Sequence, residues 1–201
     1  MITRDWLAFL LFAFVGSITP GPNNIIASST GVNHGFRATL PHIFGVPCGF
    51  GSMLLISSIG VVSIALQHPM MQYIMRVFGI TYLLYLAWII GWPSGKRLTA
   101  HTALALPLSF IQSFLFQYAN PKAWVLAIAT AATFTNGIRT SSLDMLSIIS
   151  IFSICAIISL SIWTVLGISL RSWLNQGQRL RWFNAMMGLS LVVSAILMLH
   201  T

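Results

Sequence analysis

From Trp6 to His200 the chain is a succession of long apolar stretches, each ended by a charge, a proline or a short polar turn. Crossing the hydrocarbon of a bilayer takes about 20 apolar residues at a rise of about 1.5 Å each, and the chain holds several such runs. With 57% hydrophobic and only 6% charged residues, it has too little polar surface to cover a water-soluble fold. The expected class is therefore an all-α, polytopic membrane protein, because a helix in lipid pairs every backbone group within its own segment. A formal net charge of +8 would in a soluble chain point to nucleic acid. Here the cations form no patch and instead mark the ends of apolar runs, so no nucleic-acid partner is expected.

Partitioning at charges and turns gives six transmembrane helices, near Trp6–Val32, Ala38–Leu66, Met70–Trp92, Leu108–Thr135, Met145–Leu170 and Trp182–His200. The connections are short, so residues 1–201 are expected to form a single transmembrane domain. The run Trp6–Ile18 leads straight into a Thr-Pro-Gly-Pro break and more apolar sequence, which reads as a span and not as a cleaved signal peptide. Arg37, Lys96, Arg97, Arg171, Arg179 and Arg181 fall on the first, third and fifth connections, while Arg4 and Arg139 on the opposite side each lie near an acid. The positive-inside rule then predicts an inner (cytoplasmic) membrane protein with both termini periplasmic. Arg76, about two turns into the third span, either snorkels to the interface or points into the bundle.

Three spans per half reverse the orientation of the second half, which permits a 3+3 inverted repeat with halves of about 1–95 and 96–201. Helices 1 and 4, the first of each half, carry breaks: Thr19-Pro20-Gly21-Pro22-Asn23-Asn24 and Asn120-Pro121-Lys122. Proline removes a donor and clashes with the preceding turn, and Gly21 opens conformations closed to other residues, so the helix should unwind at mid-membrane depth. Unpaired peptide groups are costly in hydrocarbon unless a wet cavity or protein satisfies them. Two corresponding breaks therefore predict a shared polar chamber, with Pro20, Gly21, Pro22, Asn23, Asn24, Asn120, Pro121 and Lys122 as the candidate substrate-binding residues.

A zwitterion needs donors for its carboxylate and acceptors for its ammonium. The helix restarting after Pro22 aims its positive end and the amides around Asn23 and Asn24 at the chamber, which suits a carboxylate. The carbonyls of Ser17, Ile18 and Thr19 are expected to be left open for an ammonium. Asn120 adds an amide, and Lys122 either supplies a cation or a gate, or else snorkels away. In the second span His42 is the one titratable group placed well inside a helix, open either to proton relay or to a cross-helix hydrogen bond. Gly45 and Gly49 have GxxxG spacing, for packing within the bundle or between protomers. Ser109, Gln112 and Gln117 either line a polar face of the fourth span or bond across helices. Cys48 and Cys155 read as small packing residues, and Trp88, Trp92, Trp173 and Trp182 as interface anchors. No metal-ligand or nucleophile motif is found, so no cofactor is expected and an intramembrane enzyme is disfavoured for want of acids and bases.

The run Thr19-Pro20-Gly21-Pro22-Asn23-Asn24-Ile25, with His34-Gly35-Phe36-Arg37 after it, resembles the signature of the LysE/RhtB amino-acid exporter family. Gly79-Ile80-Thr81-Tyr82-Leu83-Leu84-Tyr85-Leu86-Ala87-Trp88 is similar to that family's third span, and Asn120-Pro121-Lys122 to the motif in its fourth. The resemblance, closest to the cysteine/O-acetylserine exporter branch, implies a six-helix secondary transporter exporting amino acids or derivatives, in a homodimer. Many relatives carry an aspartate in the fifth span, whereas Ile151 to Trp163 contains no acid. That departure argues against a cationic substrate, which would call for a buried carboxylate. The expected function is export of small neutral amino acids by alternating access, and the competing reading is a membrane scaffold that transports nothing.

Overall fold

A computed structural model of the protein describes residues 6–58, 69–91, 107–134, 141–174 and 178–199. Arg4, Asp5, Trp92, Lys96, Arg97, Arg139 and the side chain of Arg76 lie outside the described residues. The described chain is all-helical: α1 (Trp6–Ile18), α2 (Pro22–His34), α3 (Phe36–Ser58), α4 (Pro69–Gly91), α5 (Phe110–Ala119), α6 (Pro121–Phe134), α7 (Ser142–Leu174) and α8 (Arg179–Leu199).

Local chemistry accounts for most of the boundaries. Helix α2 starts with Pro22 in its first turn, where a missing N–H costs nothing. It stops at Gly35, whose φ of 84° lies in the left-handed region and whose N–H closes on the Gly31 carbonyl at 3.0 Å. Ser109 and Gln112, expected on a polar face, instead form a reciprocal capping box that starts α5. Ser141 caps α7, its hydroxyl accepting from the Asp144 amide at 3.2 Å, so that helix begins earlier than expected. Helix α3 runs on through Pro41 and Pro47.

By length and apolarity, Phe36–Ser57 and Ser142–Leu174 can each cross a membrane alone, and α1 with α2 qualifies as one span bent by 53°. Six separate spans are thus not what the described helices show singly, because proline breaks divide two of the expected spans and Gly79–Gly91 is a shorter apolar stretch. The outer surface is what lipid calls for, with Leu7, Met70, Ile111, Leu143 and Trp182 all well exposed.

Packing follows a crossed pattern: α1 and α2 lie on α7, α5 and α6 lie on α3, α3 meets α7, and α4 pairs with α8. Glycines let the backbones approach. A Cβ on Gly45 would sit 2.6 Å from the Phe110 carbonyl oxygen, and one on Gly49 2.8 Å from Gln117 Cγ, so the GxxxG pair packs within the bundle against α5. Gly91 and Gly188 meet between α4 and α8, where a Cβ on Gly188 would lie 2.7 Å from Gly91 Cα. Phe9, Phe50, Phe134 and Phe152 join α1, α3, α6 and α7 through ring pairs at 4.9 to 5.5 Å. Cys155 is buried in the same core, whereas Cys48 is exposed.

Gly49→Leu should destabilise the detergent-solubilised protein by about 1–3 kcal/mol or more through overpacking, read as a lowered melting temperature. The neighbouring exposed Cys48→Leu should leave it unchanged.

Candidate site at the two helix breaks

The two breaks meet at one cavity. It is lined by Gly21, Asn23 and Asn24 from the first break, Asn120 and Lys122 from the second, and Gln117 and Ser159 from α5 and α7. Pro20, Pro22 and Pro121 shape the breaks without lining the cavity. Apolar walls come from Val46 and Phe50 of α3, Leu126 of α6, and Phe152 and Leu160 of α7. The space open to the centre of a water-sized sphere is about 60 Å3, enough for roughly four to six waters.

At the first break the expectation of open carbonyls is overturned. The Asn24 side-chain amide donates to Ser17 O at 3.0 Å, Ile18 O at 3.4 Å and Thr19 O at 2.8 Å. Ser159 Oγ donates to Ser17 O at 2.8 Å, Trp163 Nε1 to Ile18 O at 3.1 Å, and the Lys122 ammonium to Thr19 O. The reason is the cost of an unpaired carbonyl in hydrocarbon, which the chain avoids with four of its own donors. Gly21 also differs from expectation: its φ of −168° is extended backbone open to any residue. What its lack of a side chain provides is room, since a Cβ would lie 2.8 Å from Lys122 Cδ. Lys122 therefore points across the break instead of snorkelling outward.

The second break is closed by its own half. Asn120 ends α5 with φ −92° and ψ 110°, and its Oδ1 accepts from the Lys122 backbone amide at 3.1 Å. Its carbonyl accepts from Ala123 N at 3.1 Å and Trp124 N at 3.3 Å. Trp124 Nε1 reaches back to Tyr118 O at 2.8 Å.

Between the breaks, Asn23 and Gln117 exchange two side-chain bonds, Nδ2 to Oε1 at 2.9 Å and Nε2 to Oδ1 at 3.2 Å. His42 is buried, with Nε2 at 3.1 Å from the Asn23 carbonyl oxygen and Nδ1 at 2.9 Å from Ser113 Oγ. A carbonyl only accepts, so Nε2 carries the proton and Nδ1 takes one from the serine; one neutral tautomer satisfies both. This is the cross-helix arrangement.

Among the described residues, Ser17 Oγ and three further polar groups on the cavity lining keep hydrogen-bonding capacity to spare. Asn24 Oδ1 is one, since Nδ2 faces the carbonyls. Asn120 Nδ2 is the second, since Oδ1 faces the Lys122 amide. The Lys122 ammonium is the third, with two N–H bonds beyond the one on Thr19 O. The N-terminus of α2 adds to these: Gly21 offers no side-chain cap to its first-turn amides. Ser159 and Trp163 escaped the sequence reading, although their spacing of four puts both on one face of α7.

From residue 14 to 201 the sequence matches the family model described as LysE type translocator. The chain belongs to this family. Over 127 residues it is 32% identical to the cysteine/O-acetylserine efflux proteins of Escherichia coli (strain K12), Shigella flexneri serotype 5b (strain 8401) and Shigella sonnei (strain Ss046). The match covers 63% of this chain and 64% of each of these relatives, just under two thirds of their length. No solved structure matches the chain. The family is a translocator family and not an enzyme family.

Asn24→Leu should cost about 1–3 kcal/mol by stripping one donor from three carbonyls. Asn24→Asp should cost more, because it turns a carboxylate oxygen toward them. Thermal unfolding of both variants in detergent checks the order.

Proposed function

We propose that the protein is a secondary transporter that exports small neutral amino acids or their derivatives by alternating access, with the cavity between the breaks as its central site. The observation that carries this reading is the set of polar groups with hydrogen-bonding capacity to spare on that cavity. The substrate carboxylate meets the Lys122 ammonium, Asn120 Nδ2 and the open first turn of α2, and its ammonium meets Asn24 Oδ1. The walls of Val46, Phe50, Leu126 and Phe152 give the substrate side chain an apolar, uncharged surface. A cavity of four to six waters corresponds to roughly 120–180 Å3 of liquid, a volume that suits a small side chain. Cysteine and O-acetylserine, named for the relatives, are small and uncharged in the side chain and fall in this class.

The crossed packing supports a 3+3 inverted repeat of six spans. A two-fold exchange of halves takes α1–α2 on α7 into α5–α6 on α3, and takes α4–α8 into itself. Exposed Arg37, Arg171, Arg179 and Arg181 support an inner-membrane orientation with this side cytoplasmic and both termini periplasmic. The large apolar exterior leaves room for a homodimer.

Efflux of a panel of labelled amino acids from cells overproducing the protein tests the function. Lys122→Met and Asn120→Ala should each lower export of small neutral amino acids at least about tenfold, the equivalent of about 1.4 kcal/mol of lost charged or amide contact, while inserting normally. Unchanged export by both variants would sink the assignment, and no export by the parent protein would favour a scaffold. In proteoliposomes the flux should ignore an imposed pH gradient, because His42 is buried and already satisfied.

A further inference from the structure

The cavity between the breaks is polar at one end only, and the helix register shows which. Ser159 Oγ donates to Ser17 O at 2.8 Å and the Lys122 ammonium to Thr19 O, so Ser17, Ser159 and Lys122 share the level of the first break. Back along α7 from Ser159, the cavity is lined by Ala156, less than one turn away, and by Phe152, about two turns away. Onward along α6 from Lys122, it is lined by Ala123 and then by Leu126, about one turn away. Helix α1 descends with them: Phe9 and Phe12 reach Phe152 at ring separations of 5.5 and 6.2 Å. Phe50 of α3 meets Phe152 at 4.9 Å. Away from the breaks, therefore, the described lining offers no side-chain hydroxyl, amide or charge.

Small residues leave the room at this end. Ala156 is half-buried between Phe152 and Leu160, which are buried on the same face of α7, and it lines the open space. Across from it Gly16 gives way to Leu126: a Cβ there would lie 2.8 Å from Leu126 Cδ2. An amino acid whose carboxylate and ammonium are held at the breaks has its side chain at the level of Ala156 and Leu126. A methyl or thiol at that level meets carbon, and a thiol gains contact with the Phe50 or Phe152 ring. A hydroxyl of the same size gives up its bonds to water and finds no partner there, because Ser17 Oγ stays with the break.

Resting on the export reading above, we propose that Ala156, Leu126, Phe50 and Phe152 form a side-chain slot that selects short alkyl and thiol side chains over hydroxyl ones, with Ala156 setting the length accepted. Proteoliposomes holding the full chain are assayed with labelled glycine, L-serine, L-2-aminobutyrate, reduced L-cysteine and L-leucine. In the parent protein kcat/KM for L-2-aminobutyrate, which carries a methyl where serine has its hydroxyl, should exceed that for L-serine at least about tenfold. Ala156→Leu should lower kcat/KM for L-2-aminobutyrate relative to glycine at least about tenfold, since one methylene in an apolar pocket counts for about 10–200-fold. Leu126→Ala should raise kcat/KM for L-leucine relative to L-2-aminobutyrate by a similar factor. A merely structural role would lower the flux of every amino acid alike. L-Serine level with or ahead of L-2-aminobutyrate in the parent, or an unchanged ratio in either folded variant, overturns the slot while leaving export intact. Absence of flux of all these amino acids in the parent overturns the export reading, and the slot with it. Should Ala156→Leu fail to fold, Ala156→Val narrows the same wall by less and Leu126→Ala tests it in the opposite direction.

Discussion

A peptide group has no water to turn to inside a bilayer, and the architecture here is organised around that constraint. Pro20 and Pro22 interrupt a helix inside the bundle, and the last three carbonyls of that segment recruit donors from Asn24, Ser159, Trp163 and Lys122. Three of these donors come from the second half of the chain. The break thereby fixes how α7 and α6 sit against α1, and the phenylalanine core below it follows from the same docking. Even the glycine at the break acts by leaving space for the Lys122 stem.

The same chemistry leaves a sparse but complete kit for a zwitterion. Asn24 and Asn120 each spend one end of the amide on the backbone and leave the other unbonded on a cavity-lining residue, so the residues that close the breaks are also those of the proposed site. On the proposed reading, binding and helix closure are carried by the same side chains. An exporter of neutral amino acids needs no membrane-buried acid under this arrangement, which accords with the absence of any carboxylate from Ile151 to Trp163.

Much of this was legible in the sequence, and the limits have physical causes. Proline position announces a broken helix from local sterics alone, so both breaks, the all-α class and the meeting of Asn24 with Asn120 and Lys122 at one chamber were readable. The partners of the broken ends were not, because they depend on which helix lies opposite. Ser159 and Trp163 are 142 and 145 residues away from the carbonyls they satisfy, and their spacing of four gives a shared helix face but not the partner it meets. Ser109 and Gln112 were misjudged for the opposite reason: their role is a local cap, and the helix start was placed too early to reveal it. Gln117 required knowing that α5 crosses α2, and the GxxxG pair required knowing that α3 crosses α5.

The two breaks are closed in unlike ways, and this has a mechanical consequence. Asn120 and Trp124 secure their elbow from within a single stretch of chain, so α5 and α6 can travel as one rigid piece without loosening any of those bonds. The other elbow is fastened locally by Asn24 and, in addition, by Ser159, Trp163 and Lys122 from the second half of the chain. Separating α1 from α6 and α7 would break the Ser159, Trp163 and Lys122 bonds, whereas the Asn24 bonds, made within the first stretch, would stay with it.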